Sequence, residues 1–178
     1  MKRQFRHHPR RTIDASPDAL SNLFAACCEA AFEIELGVAD PPVVDYMADL
    51  LLRFLHTDEF RRFRCPTGEL LTSVVGLLAE ADEREGASRR DLLRHIGDVT
   101  LFWTGVYPEA LPMVQAAEGA DAFLDLPVCG VRSYRAAARC EPESDSPSVL
   151  SRIADEYEVC RDGLYRARRT WEELASRN

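Results

Sequence analysis

The chain has 178 residues, a formal charge of −8, and 46% apolar and 29% charged residues, the composition of one ordinary globular domain. Lys2 is the single lysine beside 21 arginines, which leaves the body of the chain without a Schiff-base, P-loop or kinase-type phosphate lysine. The nine glycines never cluster into a phosphate-cradling loop, and no apolar run reaches the length that spans a bilayer.

Residues 1–13 read as a basic, flexible arm. Lys2, Arg3, Arg6, Arg10 and Arg11, with no acid among residues 1–12, give it +5 and leave −13 on the remainder. No apolar stretch follows the charge, so a secretory leader is not expected. Such an arm can contact nucleic acid, an acidic partner or the chain's own acidic body. Residues 14–178 read as a single all-α domain, a bundle of six to seven helices. "SPDALSNLFAACCEAAFEIELG" offers Ser16 as N-cap, Pro17 at the first helical position and Gly37 as the stop. Its apolar stripe is Leu20, Leu23, Phe24, Cys27, Ala31 and Ile34. The vicinal Cys27 and Cys28 point about 100° apart on a helix. With no CxxC and no regular framework, the six cysteines are expected to be reduced thiols of a cytosolic protein.

Asp40 and Pro41 open the next helix, with Val44, Met47, Leu51, Phe54 and Leu55 on its face. "FRRFR", Phe60 to Arg64, interleaves aromatics with arginines. A third helix is expected from Thr67 to about Glu85, burying Leu70, Leu71, Val74, Leu77, Leu78 and Ala81. Gly86 ends it, and Ser88 with Asp91 resembles a capping box that starts the fourth helix.

That fourth helix, about 88–107, is apolar on nearly all sides through Ile96, Val99, Leu101, Phe102, Trp103, Val106 and Tyr107. It is therefore expected to be buried at the centre of the bundle. Gly97 and Gly105 each cost about 1 kcal/mol in helix propensity, so close approach of a neighbouring element is expected at both. Asp98 shares a face with Arg94 and His95, and a buried carboxylate there must be paired. Arg94 is its nearest local partner and Tyr134 a distant one. The polar cluster Arg94, His95, Asp98 and Tyr134 is thus the candidate site, with a structural role for Asp98 expected ahead of a catalytic one.

The segment Pro108–Pro127, broken by Pro112 and Gly119, holds one or two short helices. "VCGVRSYRAAARC" is another, and 141–148 is an acidic linker of turn formers. The final helix, 149–176, spans about 40 Å. Leu150, Ile153, Tyr157, Leu164 and Trp171 form its a/d seam, an interface for a protein partner or for self-association.

Catalytic constellations are thin. Arg53 and Leu92 precede His56 and His95 by three residues, so the Glu-x-x-His pair of helical di-iron proteins does not arise. His56 and Cys65 make half a zinc site at most. No metal and no cofactor are expected. Glu80 and Glu83, with Glu118 and Asp121, faintly resemble the magnesium carboxylates of the all-α nucleoside-triphosphate pyrophosphatases. The interval between the pairs is longer than that family's, and "EADERE" reads more simply as a solvated helix end.

"RHIGDVTLFWTGVYPEAL" and "GVRSYRAAA" resemble a pattern in a family of bacterial all-helical proteins. It consists of a GD, an aromatic-apolar run ending in a small residue and Gly, and a later G-x-x-x-Y. The resemblance covers Arg94–Leu111 and Gly130–Ala138 and implies no activity. The expectation is a non-catalytic, cytoplasmic bacterial interaction or adaptor module. The alternative is a small-ligand or metal-dependent enzyme around His95 and Asp98, and a lesser one is nucleic-acid contact through the arm.

Overall fold

A computed structural model describes residues 17–56, 62–64, 68, 70–142 and 146–177. Eight α-helices run through them: α1 Pro17–Glu29, α2 Pro41–His56, α3 Val74–Asp82, α4 Gly86–Gly105, α5 Leu111–Glu118, α6 Leu126–Arg139, α7 Val149–Asp155 and α8 Tyr157–Ser176. Among the described residues the only β-type pairing is an isolated bridge between Arg64 and Leu70. The fold is an all-α bundle. Among the same residues no helix is long and apolar enough to cross a membrane.

The bundle assembles around α4, which packs against α6, α8, α3 and α2. From Leu92 to Gly105 every residue is buried except Arg94 and Trp103. At Gly105 the backbone of α8 crosses closely, since a Cβ there would lie 3.2 Å from Leu164 Cβ and 3.3 Å from Arg161 Cα. The last turn of α4 holds no basic residue. α8 supplies the donors instead: Arg168 Nη1 bonds Val106 O at 2.7 Å and Arg161 Nε bonds Thr104 O at 3.4 Å. Arg168 also pairs with Glu109 and Glu172 and lies 4.3 Å above the Tyr107 ring.

Several helix ends differ from the sequence expectation. α3 begins at Val74, seven residues later than expected, because Asp121 reaches in from another connection. Its carboxylate accepts from Val74 N at 2.8 Å and Val75 N at 2.9 Å, while Ser73 Oγ accepts from Gly76 N. Leu70 and Leu71 consequently precede the helix. The capping box at Ser88 does not form: α4 starts at Gly86, where φ is +56°, with Glu85 as N-cap. α2 begins as expected, with Asp40 accepting from Val43 N and also holding Arg152 of α7.

α1 passes into a π-helical turn at Ala30–Glu35, closed by Leu36 N to Ala31 O at 3.1 Å. The wider turn rotates the apolar stripe, so Phe32 goes inward and Ile34, expected in the stripe, is 82% exposed. Phe32 lies over Gly163 of α8, where a Cβ would come within 2.1 Å of its ring. The glycine's propensity cost there is the condition for that packing.

The expected single helix 149–176 is two helices, broken at Glu156 (φ −110°, ψ 30°). Its seam faces inward. Leu150, Ile153, Tyr157 and Leu164 are buried in the domain's own core, and Trp171 packs edge-on against Phe24 at 5.4 Å. The seam read as an interaction interface is therefore covered by the bundle itself.

Candidate functional site

Asp98 projects from the middle of α4 with 1% of its surface exposed. Three donors surround its carboxylate. Tyr46 Oη donates to Oδ1 at 2.5 Å, Tyr134 Oη donates to Oδ1 at 2.8 Å, and Arg53 Nη1 donates to Oδ2 at 2.9 Å. Arg53 and Tyr46 come from α2, Tyr134 from α6, so one carboxylate ties three helices together. Burial, and then the carboxylate's charge, push both tyrosine hydroxyls well above their usual range. Burial works against the Arg53 charge, but Asp98 outweighs it and holds the guanidinium protonated.

Of the expected cluster, Asp98 and Tyr134 meet directly. Arg94, read as the nearest partner of Asp98, is not one. Its Nε is buried without a hydrogen-bond partner among the described residues, and Arg53 occupies the carboxylate instead. His95 is 1% exposed, its ring 6.1 Å from that of Phe54 and 4.8 Å from that of Phe63, and neither ring nitrogen has a hydrogen-bond partner among the described residues. Burial first, then the charges of Arg62, Arg53 and Arg94, lower its pKa to about 4 against the opposing pull of Asp98.

Tyr46 and Arg53 were missed by sequence reasoning. The signal was their spacing: with Leu50, which is fully buried, they occupy i, i+4 and i+7 beside the main stripe of α2. Two polar-tipped side chains flanking a buried leucine mark an edge that a polar group on a facing helix can use.

The glycines of the quoted pattern take a physical meaning here. A Cβ on Gly97 would lie 2.7–2.8 Å from three ring atoms of Tyr134. The ring is fully buried and its hydroxyl is anchored on Asp98, so it cannot give way easily. One turn earlier on α6, Gly130 leaves room for Tyr157 Oη and Thr100 Oγ1, which bond each other at 3.2 Å. Gly97→Ala is accordingly expected to destabilise by about 1–3 kcal/mol through overpacking, although alanine is the better helix former. Urea unfolding of the variant decides it, and an unchanged or raised stability would remove the close-approach role.

The carboxylates of the pyrophosphatase-like pattern are employed otherwise. Glu80 bonds Arg84 at 2.8 Å, Glu83 is exposed, and Asp121 caps α3; the side chain of Glu118 lies outside the described residues. The side chain of His56, Cys65, Phe60, Arg61 and the basic arm of Lys2, Arg3, Arg6, Arg10 and Arg11 also lie outside them. Cys27, Cys28 and Cys160 are buried, and burial raises all three thiols, Cys160 to about 12. Among the described residues no three His, Cys, Asp or Glu side chains converge as metal ligands would.

Compared with protein-family models, curated proteins and solved structures, the chain matches none.

Proposed function

We propose that the chain is a non-catalytic helical module of the bacterial cytosol that acts by binding a protein partner or a second copy of itself. The observation that carries this is the exposure of large apolar side chains on the α5 connection, Met113 at 72% and Phe123 at 96%. Both lie outside a core that has already enclosed its own heptad seam. Exposed large apolar side chains of this kind can serve as anchors of an interface. The polar centre supports the same reading, because Asp98 has both oxygens engaged and His95 touches no hydroxyl, thiol or carboxylate by hydrogen bond among the described residues.

Recovered from its host, the tagged protein is expected to hold a stoichiometric companion, or to run as a dimer by light scattering. The double variant Met113→Asp, Phe123→Asp should lose that association with its melting temperature unchanged. A monomer without a companion, or equal retention by the variant, defeats the reading. Nucleic-acid contact would fall to the arm, and deletion of residues 1–12 reports on it in the same experiment.

A second reading, a small-ligand site at the polar cluster, is favoured by Nε of Arg94 and the ring nitrogens of His95, which have no hydrogen-bond partner among the described residues.

A further inference from the structure

Helices α6 and α8 both turn arginines to solvent, and they treat them differently. Every arginine of α8 meets a carboxylate: Arg161 pairs with Glu158, Arg166 with Asp162, Arg168 with Glu172 and Arg169 with Glu173. α6 holds Arg132, Arg135 and Arg139 and no acidic residue. Arg135 reaches Asp155 of α7 at 3.0 Å, a pair exposed on both sides and therefore weak. The side chains of Arg132 and Arg139 make no hydrogen bond or ion pair with any described residue.

The three arginines share one line. With Val128 they occupy i, i+4, i+7 and i+11, and all four are exposed. Leu126, Gly130, Ser133, Tyr134 and Ala137 are buried on the opposite face. The line is apolar at its start, where Val128 is exposed and Phe123, just before the helix, stands clear of the core. At its other end Arg135 and Arg139 line one open groove of about 520 Å³ together with Ser148 and Ser151. Glu141 is the one acid among the residues of that lining.

Each guanidinium offers a planar fork that takes two carboxylate oxygens side by side. Successive arginines are separated by a rise of about 4.5–6 Å along the helix. An extended peptide sets every second side chain on one face about 6.6 Å apart, within reach of that spacing. Phe123 and Val128 supply an apolar contact ahead of the first carboxylate. A nucleic-acid strand suits the face less well. Its phosphates continue past three arginines onto a chain that carries −13 outside residues 1–12.

We propose that the exposed face of α6 binds an acidic peptide segment of a partner protein, an apolar residue followed by alternating Asp or Glu. This rests on the partner-binding reading above and gives the partner its chemistry.

Fluorescence anisotropy of the full chain with a labelled peptide that alternates serine and glutamate behind one leucine tests it. The glutamine counterpart and a single-stranded oligothymidylate are titrated at the same ionic strength. The glutamate peptide is expected to bind saturably, the glutamine peptide not at all, and the oligonucleotide more weakly than the glutamate peptide. Arg132→Gln with Arg139→Gln touches two exposed side chains without partners, so the melting temperature should hold. Peptide affinity in that double variant should fall about tenfold or more. No binding, equal binding of the glutamine peptide, tighter binding of the oligonucleotide, or unchanged affinity in the double variant overturns the proposal. The titration needs no companion from the host. Peptide binding by a chain that recovers no companion defeats the partner reading alone, and a companion retained in full by the arginine variant defeats this proposal alone.

Discussion

Asp98→Ala is expected to cost about 3–5 kcal/mol of folding stability, the range for removing one partner of a buried charged pair. The magnitude follows from what is left behind. Arg53 keeps a largely enclosed charge whose partner at 2.9 Å has gone, and two buried tyrosine hydroxyls lose their shared acceptor. Few substitutions strand three donors at once. Asp98→Asn keeps the shape and one acceptor oxygen but removes the charge and turns an NH2 toward a donor, so a loss of about 3 kcal/mol, at the low end of the same range, is expected. Tyr46→Phe and Tyr134→Phe each remove one donor to the buried carboxylate and leave its other two in place. Each should lose about 1.5–3 kcal/mol, the value of a hydrogen bond to a charged group. Guanidinium unfolding of the four variants gives the order. If Asp98→Ala lies within about 1 kcal/mol of the parent, the carboxylate does not organise α2, α4 and α6.

How much of this was legible in the sequence depends on the range of the interaction. The central position of α4 was legible, because a run that is apolar in every direction leaves no solvent face. The i,i+4 spacing along α8 likewise carries its ion pairs, Asp162 with Arg166, Arg168 with Glu172 and Arg169 with Glu173. Tyr134 was reachable through the G-x-x-x-Y pattern. The partner of Asp98 was not, since proximity along the chain favoured Arg94 at i−4 while Arg53 arrives from 45 residues away. Once Arg53 is seated, Arg94 is surplus. The break at Glu156 was equally hidden. Tyr157 and Cys160 continue the spacing set by Leu150 and Ile153, and Glu156 N still bonds Arg152 O. No glycine or proline marks the place. The π-turn at Ala30–Glu35 shows itself only in its consequence, the exchange of Ile34 for Phe32 in the core, and Gly163, 131 residues beyond Phe32, makes room for that ring. Local signals set the elements, and the tertiary fit selects which side chains complete the core.

The same enclosed corner makes the protein acid-sensitive through His95. In the unfolded chain a histidine takes up a proton near pH 6.5. In the folded protein burial and the neighbouring guanidinium groups hold the pKa of His95 to about 4. Above pH 6.5 the ring is neutral in both states and contributes no pH dependence. As the pH falls below 6.5 the unfolded chain gains a proton that the native state refuses, so stability declines by about 1.4 kcal/mol per pH unit. The decline from this group ends near pH 4, where the native ring protonates as well. The interval is worth about 3 kcal/mol in total. Carboxylates titrate in the lower part of the same range, and His95→Gln separates the two contributions. The difference in unfolding free energy between parent and variant should move in the variant's favour by about 2–3 kcal/mol between pH 7 and pH 4.5. A difference that stays constant across that range would show that His95 is not held neutral. Burial is the largest cause of the shift, and the neighbouring guanidinium groups add to it. Asp98, whose charge favours an imidazolium, already accepts from Tyr46, Tyr134 and Arg53, whereas Arg53, Arg62 and Arg94 all oppose the added charge.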